Sequence, residues 1–185
     1  MNVAGGVPWL AEYAARERFR YTPEADERWM RAWEPYATLR VPARYEHVLD
    51  STGEVGSLTI ARLVLETGAR SWIAIAQDVR VTARAALTSD RGSAFAEGWE
   101  LVSLPRRATG DTAFDAVFAL FAPAEGDAVR AANPRLRRLL LSWRTPVHVE
   151  LRPGGFVVAP VALPSDPTSL SWLVRGVHAL GERAG

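Results

Sequence analysis

Asp111 and Asp115 stand four residues apart in TGDTAFD, residues 109–115. Two carboxylates held close together can chelate a divalent cation, or divide the work of general acid and general base. A chelating site needs more ligands, and the neighbourhood offers no histidine and no third acidic residue at metal-binding spacing. The structural alternative is that Asp111 bonds the backbone of its own turn at the start of a strand while Asp115 faces solvent. The structural alternative is the stronger one.

His47, His148 and His178 are the three imidazoles, and none falls in an H-x-x-x-H or H-E-x-x-H spacing. EHVLDS places His47, Asp50 and Ser51 together, a set superficially like a nucleophilic triad. A short strand-and-turn segment supplies neither the held geometry nor the oxyanion hole that a triad needs. His148 alternates with Glu150 on what reads as the wet face of a strand, and His178 lies on the final helix. The chain has no cysteine, and all 22 basic side chains are arginine. Thiolate chemistry, disulfides, lysine Schiff bases and P-loop phosphate binding are therefore excluded. G-x-S-x-G and G-x-G-x-x-G are absent as well. No metal and no cofactor is expected.

Two clusters are better suited to binding. Arg135, Arg137, Arg138 and Arg144, with Arg130 nearby, form the densest basic patch and are candidates for holding phosphate or an acidic partner. Base stacking would need interleaved aromatic rings, and only Trp143 qualifies, so nucleic acid is not expected. The competing reading, a solvated helix face, is favoured. Aromatic residues crowd the first quarter of the chain. Trp9, Tyr13, Trp29 and Trp33, among several arginines, have the composition of an interface anchor. The alternative is that these rings are core, and it holds a slight edge.

The elements that would position these residues follow from periodicity. Residues 8–19 have a helical pattern with Leu10, Tyr13 and Ala14 on one face. Thr22 as N-cap and Pro23 at the first position open a second helix, which Pro35 stops. Alternating runs at 44–49, 57–66 and 71–81 predict an antiparallel meander. Strands are expected at 98–104 and 114–122. A short helical turn at Gly126 and Asp127 comes next, then a helix capped by Asn133 with Leu136, Leu139, Leu140 and Trp143 as its stripe. Residues 147–152 alternate as a half-buried strand, Pro153 and Gly154 fit a type II turn, and the chain returns from 156 to about 163. A last helix follows Asp166 and Pro167. The reading is an α+β fold, a largely antiparallel sheet with helices on one face and an N-terminal helical pair. Residues 1–36 read as a helical arm and 37–185 as the α+β domain, together forming one globular unit.

Composition narrows the setting. With 48% hydrophobic and 23% charged residues, the 185-residue chain can bury a core without metals or disulfides. A net charge of +1 generates no field that would drive binding to nucleic acid. No apolar run approaches the roughly 20 residues of a membrane span, and the first residues do not form a signal peptide. A cytoplasmic location is expected, with peripheral membrane association still compatible.

WLAEYAARERFRYTPEAD, EHVLDSTGEVGSLTIARLVL, TGDTAFDAVFALFAP and RLRRLLLSWRTPVHVELRPGGFVVAP, in that order before a final helix, resemble a broad family of uncharacterised bacterial proteins. Its members carry a G-D-x-x-F-D-x-x-F turn-strand block, matched here from Gly110 to Phe118, and many follow an N-terminal membrane anchor. The resemblance implies a fold and brings no reaction with it. The sequence as a whole favours a non-enzymatic module working through a protein partner or self-association in a bacterial assembly. The alternative is a small hydrolase or ligand-binding protein using Asp111, Asp115 and a histidine.

Overall fold

The computed structural model describes residues 6–34, 42–53, 56–89 and 104–184. In chain order the elements are α1 (Pro8–Glu17), β1 (Arg20–Glu24), α2 (Glu27–Ala32), β2 (Arg44–Gly53), β3 (Gly56–Val64), β4 (Arg70–Gln77), β5 (Ala85–Thr88), β6 (Arg106–Arg107), α3 (Thr112–Val117), β7 (Ala119–Phe121), α4 (Glu125–Ala131), α5 (Pro134–Leu141), β8 (Val147–Arg152), β9 (Gly155–Pro160) and α6 (Pro167–Gly181). The strands form one nine-stranded sheet in the order β1-β2-β3-β4-β9-β8-β5-β7-β6. Every pairing among the described strands is antiparallel, so the α+β class stands.

The centre of the sheet is apolar on both sides. On β4, Ala74 and Ala76 belong to one core cluster while Ile73 and Ile75 belong to another. On β9, Phe156 and Val158 divide from Val157 in the same way. The larger cluster takes Leu10 and Tyr13 from α1, Leu136 and Leu140 from α5, and Leu170 and Leu173 from α6. The smaller takes Met30 from α2, with Trp29 and Trp33 packed against it. The expected N-terminal helical pair is therefore replaced by helix, strand, helix, and its two helices serve different clusters.

That replacement has a local cause. Helix α1 ends at Arg18 in a left-handed conformation, φ 62°, with the Phe19 amide bonded to the Ala14 carbonyl. The chain then leaves extended, and Arg20, Tyr21, Thr22 and Glu24 pair with β2. An N-cap at Thr22 would stabilise by about 1 kcal/mol. In the extended form Arg20, Tyr21, Thr22 and Glu24 all find partners on β2, several ladder contacts against a single cap. Asp26 caps α2 instead, accepting from the Trp29 amide at 3.1 Å.

A second correction concerns residues 114–122, expected as one strand. Asp111 accepts from the Phe114 amide at 3.1 Å and starts helix α3, and only Ala119–Phe121 is strand. Phe114 and Phe118 stack four residues apart, ring centres 4.9 Å from each other. Phe114 and Phe118 satisfy the helical period and, with Leu120, the extended one, so the cap decides. Most of the strand expected at 98–104 falls outside the described residues.

The β8–β9 turn is as expected, with Gly154 at φ 82° and open space around its missing side chain. Gly154→Val is expected to cost about 1 kcal/mol or more from backbone strain alone. Thermal melts of both proteins check this, and an unchanged melting temperature would remove the requirement for glycine.

Candidate functional site

Asp111 is occupied twice over. One oxygen caps α3 and the other lies 2.9 Å from Arg137 of α5. Asp115, expected to face solvent, is half-buried and accepts from the Thr109 amide at 3.1 Å and its hydroxyl at 2.8 Å. Both carboxylates thus hold the 109–115 turn closed. Among the described residues no group of three His, Asp or Glu side chains is placed to hold a metal. His178 is exposed on α6 and lines a cleft of about 210 Å³ with Glu17, Arg18, Ser51 and Phe156; neither Asp111 nor Asp115 lines it.

His47 sits at a bulge in β2, where the register against β3 shifts between Glu46 and Leu49. It is buried and adopts φ 56°, unusual for a residue with a side chain. The Tyr21 hydroxyl accepts from the Val7 amide at 3.0 Å and lies 2.8 Å from Nδ1 of His47. A hydroxyl accepts twice, so this contact suits either tautomer of His47, and it is burial that favours the neutral ring. Burial pushes the His47 pKa down, and the Arg62 charge adds to this. Next to it, the buried Glu46 receives Arg62 at 2.7 Å. Burial alone would raise its carboxyl, but the hydrogen bond and charge of Arg62 bring it below the usual range. Asp50 is bonded to Thr59 at 2.7 Å and paired with Arg20 at 3.2 Å. Among the described residues, these bonds tie His47 and Asp50 to Tyr21, Thr59 and Arg20, and not to each other or to Ser51.

The wet face expected for β8 is dry. His148 and Glu150 are fully buried, on the side of the strand opposite Val147, Val149 and Leu151. His148 Nε2 lies 2.9 Å from one oxygen of Glu150, and Arg152 donates to the other at 3.0 Å. Arg152 also donates to the carbonyls of Ala32 at 3.2 Å and Glu34 at 2.6 Å, and its guanidinium lies 5.3 Å from the centre of the Trp33 ring. The last carbonyls of α2 have no partner within their own helix, and this guanidinium supplies one. A strand inside the core thereby holds α2 in place.

His47 and His148 both have pKa values lowered by burial. In the unfolded chain each titrates near 6.5, so below that value the unfolded state binds more protons and stability falls as pH falls. Urea midpoints are expected to drop between about pH 7 and pH 5. His47→Asn tolerates the left-handed backbone and keeps an acceptor for Tyr21, and should flatten part of that slope. A midpoint that rises on acidification would contradict the neutral assignment.

The arginine cluster divides. Arg137 is committed to Asp111 and Arg144 is exposed away from the others, whereas Arg135 and Arg138 line two adjoining clefts of about 590 and 500 Å³. Arg183, beyond the end of α6, lines both clefts too, and Arg130 lines the second. Asn133 links the ends, accepting from the Arg135 and Leu136 amides and donating to the Arg183 carbonyl at 2.8 Å. Arg183 lies some fifty residues from Asn133 in sequence, and no local pattern foretells the meeting.

The aromatic cluster divides as well. Tyr13 is buried, its hydroxyl bonded to Ser171 at 3.3 Å, so it is core and not an exposed anchor. Trp9, Trp29 and Trp33 are half-buried. Trp33 is wedged so closely that a side chain on Gly155 would come within 2.9 Å of its ring. Trp29 stands at a groove of about 330 Å³ lined by Arg20, Thr22, Glu24 and Asp26, alongside the edge strand β1.

No family model matches this chain, and no curated protein matches it. Among solved structures, the crystal structure of the mycobacterial trehalose monomycolate transport factor A, TtfA, is similar, with a TM-score of 0.66 at 13% identity over 94% of this chain and 90% of that one. The two share a fold.

Proposed function

We propose that this domain is a non-enzymatic interaction module of a bacterial assembly, and that it presents α2 to a protein partner. The observation that carries the reading is Trp29. It remains half-exposed at a groove beside an edge strand, while the helix bearing it is held rigid by Arg152. A large amphipathic ring on a fixed support is what an interface anchor requires. Asp111 with Arg137, Asp115 with Thr109 and His47 with Tyr21 are engaged in structural bonds, and the exposed His178 lines a cleft that neither aspartate reaches. The protein of like fold is named a transport factor, and a role of that kind fits a scaffold that works through contacts.

Quantitative affinity capture from host cells, run in parallel with wild type and Trp29→Ala, tests this. A partner, or a second copy of the chain, that is retained by wild type and lost by an equally stable variant supports the reading. Identical retention by both, repeated with Trp9→Ala, removes it.

A further inference from the structure

We propose that Arg135, Arg138 and Arg183 form a binding site for an acidic peptide segment, on the α5–α6 side of the molecule. This site is independent of α2, and it holds whether or not α2 is an interface.

The two clefts adjoin, with Arg135, Arg138, Glu182 and Arg183 lining both. Together they make a trough beside α5, to which one cleft adds Leu139 and Ser142 and the other adds Arg130. Arg135 and Arg138 are exposed, and neither pairs with a carboxylate among the described residues. Arg138 is tied only to the Pro134 carbonyl at 3.3 Å. Arg183 is anchored to the Ala179 carbonyl at 2.7 Å, which fixes the position of its guanidinium. The neighbouring acids neutralise only part of the trough: Asp127 is paired with Arg130 at 2.7 Å and Glu182 with Arg183 at 3.4 Å, which leaves Arg135 and Arg138 as its uncompensated charge.

Guanidinium groups bind carboxylates and phosphates bidentately, so the shared chemistry is anionic oxygen. The shape selects between them. Several cations spread along a trough, with an apolar leucine and small polar groups between them, match an extended chain carrying carboxylates at intervals. A single inorganic anion would engage only part of it. Because the net charge of the whole chain is just +1, attraction to this trough is local and does not come from a general basic field.

The test measures fluorescence anisotropy of a labelled oligoglutamate peptide against full-length protein, with inorganic phosphate and phosphatidylserine vesicles as parallel probes. The variants are the single reversals R135E and R138E, their double R135E/R138E and, as control, R144E, an exposed charge change outside both clefts. Saturable peptide binding that R135E/R138E weakens about tenfold or more while R144E leaves it unchanged is the expected result. Equal losses from R144E and the single reversals would show a diffuse charge effect and overturn the site. Vesicle or phosphate binding with the same dependence on Arg135 and Arg138, without peptide binding, would overturn the assignment to a peptide.

Discussion

Arg152→Ala is expected to lower folding stability by about 3–5 kcal/mol, the cost of breaking a buried ion pair by removing one partner. The change takes away a guanidinium 3.0 Å from a fully buried carboxylate, and with it the bonds to the last carbonyls of α2. Glu150→Gln should cost less. It leaves Arg152, whose side chain is 14% exposed, still bonded to those carbonyls, and puts no charge into the core. Urea denaturation of both variants, with tryptophan fluorescence reporting on α2, measures the difference. Equal costs would show that the pairing of charges is not what matters at this position. A second prediction comes from the same geometry. In Arg152→Ala, amide exchange in α2 should accelerate more than exchange in β4, because the helix loses its tether while the central strand keeps its ladder.

Much of the fold was legible in the sequence, and the failures share a cause. The meander of β2, β3 and β4 could be read because turn residues bracket alternating β-branched runs. Helices α5 and α6 could be read because Asn133 and Asp166 cap clean apolar stripes. Residues 114–118 could not, because Phe114 and Phe118 fit a helix and Phe114, Phe118 and Leu120 also fit a strand. The burial of His148 and Glu150 escapes the sequence pattern for a related reason. Alternation of apolar and polar residues marks a half-wet strand only when the strand's second face is open. Here β8 lies between β9 and β5 in the middle of a nine-stranded sheet, and its polar face is covered. The apolar runs of β4 and β9 signal a two-sided core, but they do not say that β8 joins it.

The candidate sites show the same limit. Arg135 and Arg138 are close in sequence and share a trough, as spacing along one helix allows. Arg137 lies between them in sequence but faces Asp111, and Arg183 arrives from another helix. Composition identifies an arginine cluster, whereas its division into structural and available cations depends on tertiary contacts alone. Residue type places Tyr13 with the tryptophans, whereas the α1 stripe it shares with Leu10 and Ala14 accounts for its burial.

Trp29 and Trp33 are expected to respond oppositely to truncation, although one lies on α2 and the other caps it four residues on. Trp33 is held between the Arg152 guanidinium and the backbone of Gly155, so Trp33→Ala removes a contact on both sides. A fully buried tryptophan costs about 3–5 kcal/mol on truncation, and a half-buried one held this way about 2–3 kcal/mol. Trp29 rests on the second core cluster with its outer part at the groove beside β1. Trp29→Ala should therefore cost less in folding and appear in association, weakening binding by roughly 2 kcal/mol or more. Chemical denaturation and a binding titration on each variant separate the two effects. If Trp29→Ala destabilises as much as Trp33→Ala and leaves every association unchanged, both rings are core, and α2 is structure without being an interface.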